Sequence, residues 1–67
     1  MKEIKTKQAE RELTKAGFAV IRTSGGHTVW ASSDGKQTIA VPRHRTVSPG
    51  VVRQIAKVLP AVPPDWR

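Results

Sequence analysis

The first third of the chain carries its apolar residues at helical spacing. Ala9, Leu13 and Ala16 recur at i, i+4 and i+7, which places them on one face of a helix. Thr6 precedes this stripe as the expected N-cap, and Gly17 follows it at the position where a C′ glycine ends a helix. The pattern therefore predicts a helix from Thr6 to Ala16.

After Gly17 the pattern changes to that of extended chain. Residues 18–23, 27–32 and 37–41 are rich in β-branched and aromatic side chains, and glycine-containing turns separate them at 24–26 and 33–36. The second turn contains an Asp-Gly pair, the strongest local signal for a β-hairpin. This part of the chain is predicted to form three antiparallel strands in sequence.

A second helix is predicted near the end of the chain. It opens at Ser48-Pro49-Gly50, the expected order of cap and first-turn proline, and Pro60 ends it. Residues 60–67 contain too many prolines for regular structure, so they are expected to form a tail in which Trp66 either folds back or stays loose. The apolar stripe of this helix consists of Val51, Val52, Ile55, Val58 and Leu59.

These elements predict a single domain over residues 1–67, with a core of about 6–59 and a Pro-rich tail of 60–67. Their order is α-β-β-β-α. Because both apolar helix stripes need a sheet face to cover, the expected fold is α+β, with two helices on one face of a three-stranded antiparallel sheet.

The Asp-Gly pair also predicts which side chains share a face. If Asp34-Gly35 is a two-residue turn, Trp30 lies opposite Ile39, with Val41 on the same face. This face holds the larger apolar groups and is therefore expected to lie under the helices. His27 would then point to solvent from the other face, the open face.

The first turn allows two registers. A two-residue loop at Gly25-Gly26 places Arg22 on the His27 side, whereas a three-residue loop starting at Ser24 flips the first strand. We prefer the two-residue loop.

This choice aligns Ile21 with Trp30 in the core. It also leaves Phe18 and Val20 on the open face, at a cost in buried apolar area.

Composition narrows the function classes. Twelve Lys and Arg against five Asp and Glu give a net charge of +7, which attracts polyanions and makes nucleic acid the first partner to consider. The absence of cysteine excludes disulfides and thiolate metal sites, and favours a cytoplasmic location. No apolar run approaches the ~20 residues of a membrane span, so no membrane partner is expected.

Several motifs occur in a recognisable order between about residues 6 and 59. They are Gly17-Phe18, Arg22, Gly25-Gly26-His27, Asp34-Gly35, Val41-Pro42-Arg43-His44 and Pro49-Gly50. At these motifs the sequence resembles the HicA family of toxin ribonucleases, which are small mRNA interferases. The most specific of them is the Gly-small-His motif at the start of the second strand.

The resemblance implies a fold like that of double-stranded-RNA-binding domains, cleavage of messenger RNA without a metal or other cofactor, and neutralisation by a HicB-type antitoxin. The catalytic histidine of the family falls on His27. Two departures are visible: Gly26 replaces the more usual serine and is expected to loosen the turn, and the chain runs into prolines after Leu59.

The residues at the turn suit this chemistry. Cleavage without a metal uses the neighbouring 2′-hydroxyl of the RNA as nucleophile, so a general base must remove its proton. Histidine is suited to that role because the ordinary pKa of imidazole, about 6.5, lies near neutral pH. His27 is the candidate base, and Gly25 and Gly26 allow a phosphate to approach the backbone.

Basic residues are the candidates for binding the phosphates. Arg22, Lys36, Arg43 and Arg45 could stabilise charge on a phosphate, and each could equally be a solvated surface charge. His44 could donate a proton or orient RNA, or it could cap the turn that follows. If the third strand continues past its proline, His44 shares a face with His27.

Three other functions are open. A metal hydrolase is disfavoured, because His27, His44 and Asp34 make a poor ligand set. A non-catalytic RNA- or DNA-binding module would use the same basic surface. An interaction protein would use the open face, whose exposed apolar residues are expected to be Val20, Val29, Ala31 and Ala40.

Overall fold

The computed structural model describes residues 1–66, so Arg67, the last residue of the predicted tail, lies outside the described residues. The elements are β1 (Ile4–Lys5), α1 (Thr6–Lys15), β2 (Ala19–Ser24), β3 (His27–Ala31), β4 (Thr38–Pro42), β5 (Thr46–Val47), α2 (Pro49–Val58) and a 3-10 helix (Pro64–Trp66). Strands β2, β3 and β4 form an antiparallel sheet in that order, and β1 pairs with β5 in a second, two-stranded sheet. Helices α1 and α2 bury their apolar stripes against one face of the three-stranded sheet. The predicted α+β class and the α-β-β-β-α order are confirmed.

Helix α1 ends as predicted but begins differently. Gly17 adopts a φ of +90°, and the N–H of Phe18 donates to the carbonyl of Leu13 at 2.9 Å, as in a Schellman C-cap. The prediction that Thr6 is the N-cap is wrong. Lys5 holds that position, and Thr6 is the first helical residue. Neither α-helix of the described chain is long and apolar enough to cross a membrane.

A bulge in β2 decides which residues of this strand are buried. The pairing with β3 shifts between Val20 and Arg22, so Val20 lies opposite Trp30 and Ile21 is the extra residue. The predicted alignment of Ile21 with Trp30 is therefore wrong, and Ile21 is 57% exposed. The expectation that Phe18 lies on the open face is also wrong. Its side chain is only 5% exposed and belongs to the core, because burying the ring lowers the free energy of the folded state.

The β3–β4 hairpin has the predicted register but not the predicted turn. Trp30 pairs with Ile39 as expected. The strands end early, however, and residues 32–37 form the connection. Of the two expected turn residues only Gly35 has a positive φ, +74°, and Asp34 does not, so a type I′ turn is not formed.

Asp34 organises this connection with its side chain. Its carboxylate accepts hydrogen bonds from the Ser32 hydroxyl at 2.6 Å and from the N–H of Lys36 at 3.0 Å. The Ser32 bond first, and then the Lys36 bond, hold the pKa of Asp34 below its ordinary value, because both favour the charged form.

Residues near both ends of the described chain, outside 6–59, contribute to the core. Ile4 is buried, and Trp66 is only 1% exposed. The carbonyl of Trp66 accepts a hydrogen bond from the N–H of Lys2 at 3.1 Å, which brings the two ends of the chain together. The expectation that the tail lacks regular structure is wrong for Pro64–Trp66. The buried core consists of Ile4, Ala9, Leu13, Phe18, Trp30, Val41, Val47, Val52, Ile55, Leu59 and Trp66.

Candidate functional site

His27 is the first residue of β3 and follows directly on the Gly25-Gly26 turn. It pairs with Ser24 of β2 on one side and with Pro42 of β4 on the other. The two-residue loop preferred from the sequence is confirmed by this register. The side chain of His27 is exposed, as predicted.

The turn before His27 is anchored despite its two glycines. Gly25 has a φ of +57°, and Gly26 lies outside the positive region, as a type II′ turn requires. The carbonyl of Gly26 accepts a hydrogen bond from the N–H of Arg43 at 2.8 Å. This bond opposes the loosening expected from a glycine at this position. A Cβ at Gly26 would meet nothing within 4 Å, so the serine more usual in the family would also fit.

Arg22 lies on the same face of the sheet as His27. It pairs with Val29, two residues along β3, and is therefore the diagonal neighbour of His27. Such neighbours are roughly 7–8 Å apart, and both side chains are exposed. A single phosphate placed between them could contact the guanidinium and the imidazole together.

The other basic residues follow the end of β4. This strand stops at Pro42, and residues 43–45 form a bend, so the continued strand that would have placed His44 on the face of His27 is not formed. Instead the bend faces the start of α1 across a groove of about 530 Å³, which we call the basic groove. It is lined by Lys5, Thr6, Lys7, Glu10, Arg43, His44 and Arg45.

Thr6 holds the bend against α1. Its N–H donates to the carbonyl of Arg45 at 2.9 Å, and its hydroxyl donates to the carbonyl of His44. The pairing of β1 with β5 brings these segments together. Sequence reasoning missed Lys5 and Lys7 as members of this cluster, because two-residue strands leave no periodic signal.

Lys36 lies far from His27 and Arg22. It lies in the 32–37 connection beyond the far end of β3, which runs about 13 Å from His27 to Ala31 at ~3.3 Å per residue. The structure thus separates Lys36 from the other basic residues predicted for the site.

The positive charges of the site are not neutralised by neighbouring carboxylates. Among the described residues, the one ion pair joins Lys15 Nζ to Glu12 Oε2 at 3.7 Å, on the outer surface of α1. No group of three or more His, Asp or Glu residues in the described chain could hold a metal ion. The site therefore presents unpaired cations and an exposed imidazole.

The open face of the sheet is less apolar than predicted. Of the four residues expected to be exposed there, Ala40 is exposed, Val29 is half-buried and Ala31 is buried. Val20 is exposed as well, but it pairs with the buried Trp30, so the expectation that it lies on the open face is wrong. The exposed apolar surface lies instead on β2, at Val20 with 48% and Ile21 with 57% exposure. Strand β2 is an edge of the sheet, so this surface is available to a partner.

Comparison with known proteins assigns the chain to a family. The family model described as the HicA toxin of bacterial toxin-antitoxin systems matches residues 6–59, which include His27, both α-helices and all three strands of the main sheet. No curated protein and no solved structure gave a match. The chain thus belongs to the HicA toxin family of bacterial toxin-antitoxin systems.

Proposed function

We propose that this toxin is a metal-independent endoribonuclease that cleaves messenger RNA with His27 as the general base. The observation that supports it best is the position of His27: an exposed imidazole on an anchored turn, with Arg22 diagonal to it on the same face. The resemblance to HicA ribonucleases supplies the reaction class, and the geometry supports a role for each residue.

The reaction needs no group beyond the RNA and the protein. His27 accepts the proton of a ribose 2′-hydroxyl, and the 2′-oxygen attacks the adjacent phosphorus. The bond from phosphorus to the 5′-oxygen of the next nucleotide breaks, and that oxygen takes a proton from water or from the imidazolium. The products are a 2′,3′-cyclic phosphate and a 5′-hydroxyl. General base catalysis of this kind contributes about 10²–10⁴ in rate.

Arg22 stabilises the phosphate during this step. Its guanidinium can donate two hydrogen bonds to the phosphate oxygens, where negative charge builds up as the 2′-oxygen attacks. Arg43, whose backbone is bonded to Gly26, approaches the same turn from the other side. Lys36 lies beyond the far end of β3 and has no role in this phosphate site.

The toxin of a toxin-antitoxin system is neutralised by its antitoxin. We propose a HicB-type antitoxin as the protein partner of this chain. The exposed apolar surface of Val20 and Ile21 supports it, because a partner that covers β2 would remove this surface from water. Co-expression with the product of the neighbouring gene should yield a stable complex. A free toxin that stays monodisperse at high concentration would argue against this partner.

The test of the nuclease proposal is cleavage of single-stranded RNA by the purified protein in the presence of EDTA. The His27→Ala variant should cut at least about 10²-fold more slowly and should keep the thermal midpoint of the wild type, since the side chain is exposed. The Thr38→Ala variant is the matched control. Thr38 is also exposed, but it lies at the far end of the sheet, so its rate should stay near that of the wild type.

The nucleophile is tested with a substrate that carries one 2′-deoxynucleotide. Cleavage should stop at the bond that follows this nucleotide and continue elsewhere. If the His27→Ala variant cuts as fast as the wild type, the catalytic assignment is wrong. If the wild type binds RNA but never cuts it, the protein is the non-catalytic binding module instead.

A further inference from the structure

The basic groove adjoins the residues of the proposed chemistry and shares Arg43 with them. We propose that it binds the sugar-phosphate backbone of the RNA substrate a few nucleotides from the cleaved bond, with Lys5 and Lys7 as new contact residues. This inference rests on the proposed function in that it takes single-stranded RNA as the ligand.

The first argument is charge. Four Lys and Arg residues line the groove against one acidic residue, Glu10. None of the four forms an ion pair with a described carboxylate. Unpaired cations gathered in a concave site attract a polyanion more strongly than the same charges spread over a surface. The four cationic residues are Lys5, Lys7, Arg43 and Arg45.

The second argument is that the groove is preorganised. The Thr6 hydroxyl donates a hydrogen bond to the carbonyl of His44, and the Thr6 N–H donates one to the carbonyl of Arg45. The β1–β5 pairing holds Lys5 opposite Thr46. With its carbonyls engaged, the bend keeps its cationic side chains on the groove, so binding requires little reordering of the backbone.

The third argument is continuity with His27. Arg43 lines the groove, and its N–H donates to the carbonyl of Gly26, the residue before His27. This bond continues the β3–β4 register by one residue past the strand ends, and hydrogen-bonded residues opposite each other in this register have Cα atoms about 5.5 Å apart. An RNA strand held at His27 therefore reaches the groove by continuing around the same end of the sheet.

The fourth argument favours RNA over a protein segment as the occupant. No residue that lines the groove has an apolar side chain. Protein interfaces usually have an apolar and aromatic centre, whereas phosphate contacts are made by Lys, Arg and hydroxyl groups. The groove has the second composition.

The experiment measures binding of a fully 2′-O-methylated single-stranded RNA, which cannot supply the nucleophile and stays intact whether or not the protein is a nuclease. We compare the wild type with the Lys5→Gln/Lys7→Gln variant at several salt concentrations. Two lost phosphate contacts should weaken binding on the order of tenfold at 0.1 M salt and reduce the slope of log K against log salt by about 1.4, at ~0.7 per contact.

The matched control is the Lys15→Gln/Lys57→Gln variant. It removes the same charge from exposed lysines that do not line the groove, so its affinity and slope should change much less. Arg45→Gln is a second groove variant, which replaces a side chain of the bend and should reduce the slope by about 0.7. A trinucleotide, too short to span both sites, should bind the wild type and the Lys5→Gln/Lys7→Gln variant alike.

The outcomes separate this inference from the proposed function. If the wild type cuts RNA but the groove variants match the control in affinity and slope, the proposal that the groove binds RNA is wrong. The nuclease proposal is then still supported. A wild type that does not cut, together with groove variants that show the expected loss, supports the groove and rejects the nuclease. Variants that lose affinity for the antitoxin while keeping that for RNA also overturn the inference, since the groove would then bind protein.

Discussion

The two faces of the three-stranded sheet differ in burial and in the kind of side chain that they carry. The face under α1 and α2 carries the core, where Ile55 and Val41 are almost inaccessible to water. The open face carries His27 and Arg22, both exposed. Stability therefore resides mainly on one face and the proposed chemistry on the other, so substitutions should separate the two properties.

The largest effect on stability is expected from a matched pair of isoleucines. Ile55→Ala should lower the free energy of unfolding by about 2–5 kcal/mol, because it empties space in a fully buried site. Ile21→Ala, at a residue 57% exposed, should cost less than about 1 kcal/mol. Urea denaturation of both variants measures the contrast. Equal losses would show that the exposed edge strand β2 is as important for folding as the covered core.

An intermediate effect is expected at Thr6, where the helical layer meets the basic groove. Thr6→Val keeps the shape of the side chain but removes the hydrogen bond to the His44 carbonyl, and should cost about 0.5–1.5 kcal/mol. Thr14→Val is the control, since its hydroxyl bonds only the Glu10 carbonyl of its own helix in an exposed position. If Thr14→Val costs more than Thr6→Val in urea denaturation, the anchoring role of Thr6 is rejected.

The smallest effect is expected from Asp34, at the end of the sheet away from His27. Folding lowers the pKa of this carboxyl through its bonds to Ser32 and Lys36, so the folded state binds its proton less tightly than the unfolded state. The resulting stabilisation is present above the ordinary pKa of about 3.9. It is lost as the pH falls through the lower folded value.

In thermal unfolding from neutral to acidic pH, the Asp34→Asn variant should therefore lose less stability below about pH 4 than the wild type does. The Ser32→Ala variant removes the hydrogen bond that contributes most to the lowered pKa of Asp34, so its stability should also depend less on acidic pH than that of the wild type, but more than that of Asp34→Asn. Identical acid profiles for all three proteins would contradict the role of this carboxylate.

Much of this structure could be predicted because its signals are local. Gly17 ends α1 by its own backbone preference, and Pro49 begins α2 for the same reason. The register of β3 and β4 was also predicted correctly, but the predicted Asp34-Gly35 turn is not formed. Asp34 instead organises the connection through its carboxylate. The turn before His27 followed from its two glycines.

The errors share a different origin. The bulge at Ile21 and the burial of Phe18 depend on which side chain the helices can cover, and no spacing within the strand records that choice. The sequence left open whether Trp66 folds back, and its return to the core depends on space between distant segments. The basic groove likewise depends on Lys5 and Arg45 meeting through β1 and β5.

By itself, the sequence determined the α-β-β-β-α order, the Gly25-Gly26 turn and the exposed imidazole, because each depends on backbone preferences or on alternation within a few residues. Only the tertiary structure decided which cations gather near His27 and which, like Lys36, lie apart from it. The reason is that charges attract a phosphate according to their positions in space, and residues far apart along the chain become neighbours only when the packing of the core brings their segments together.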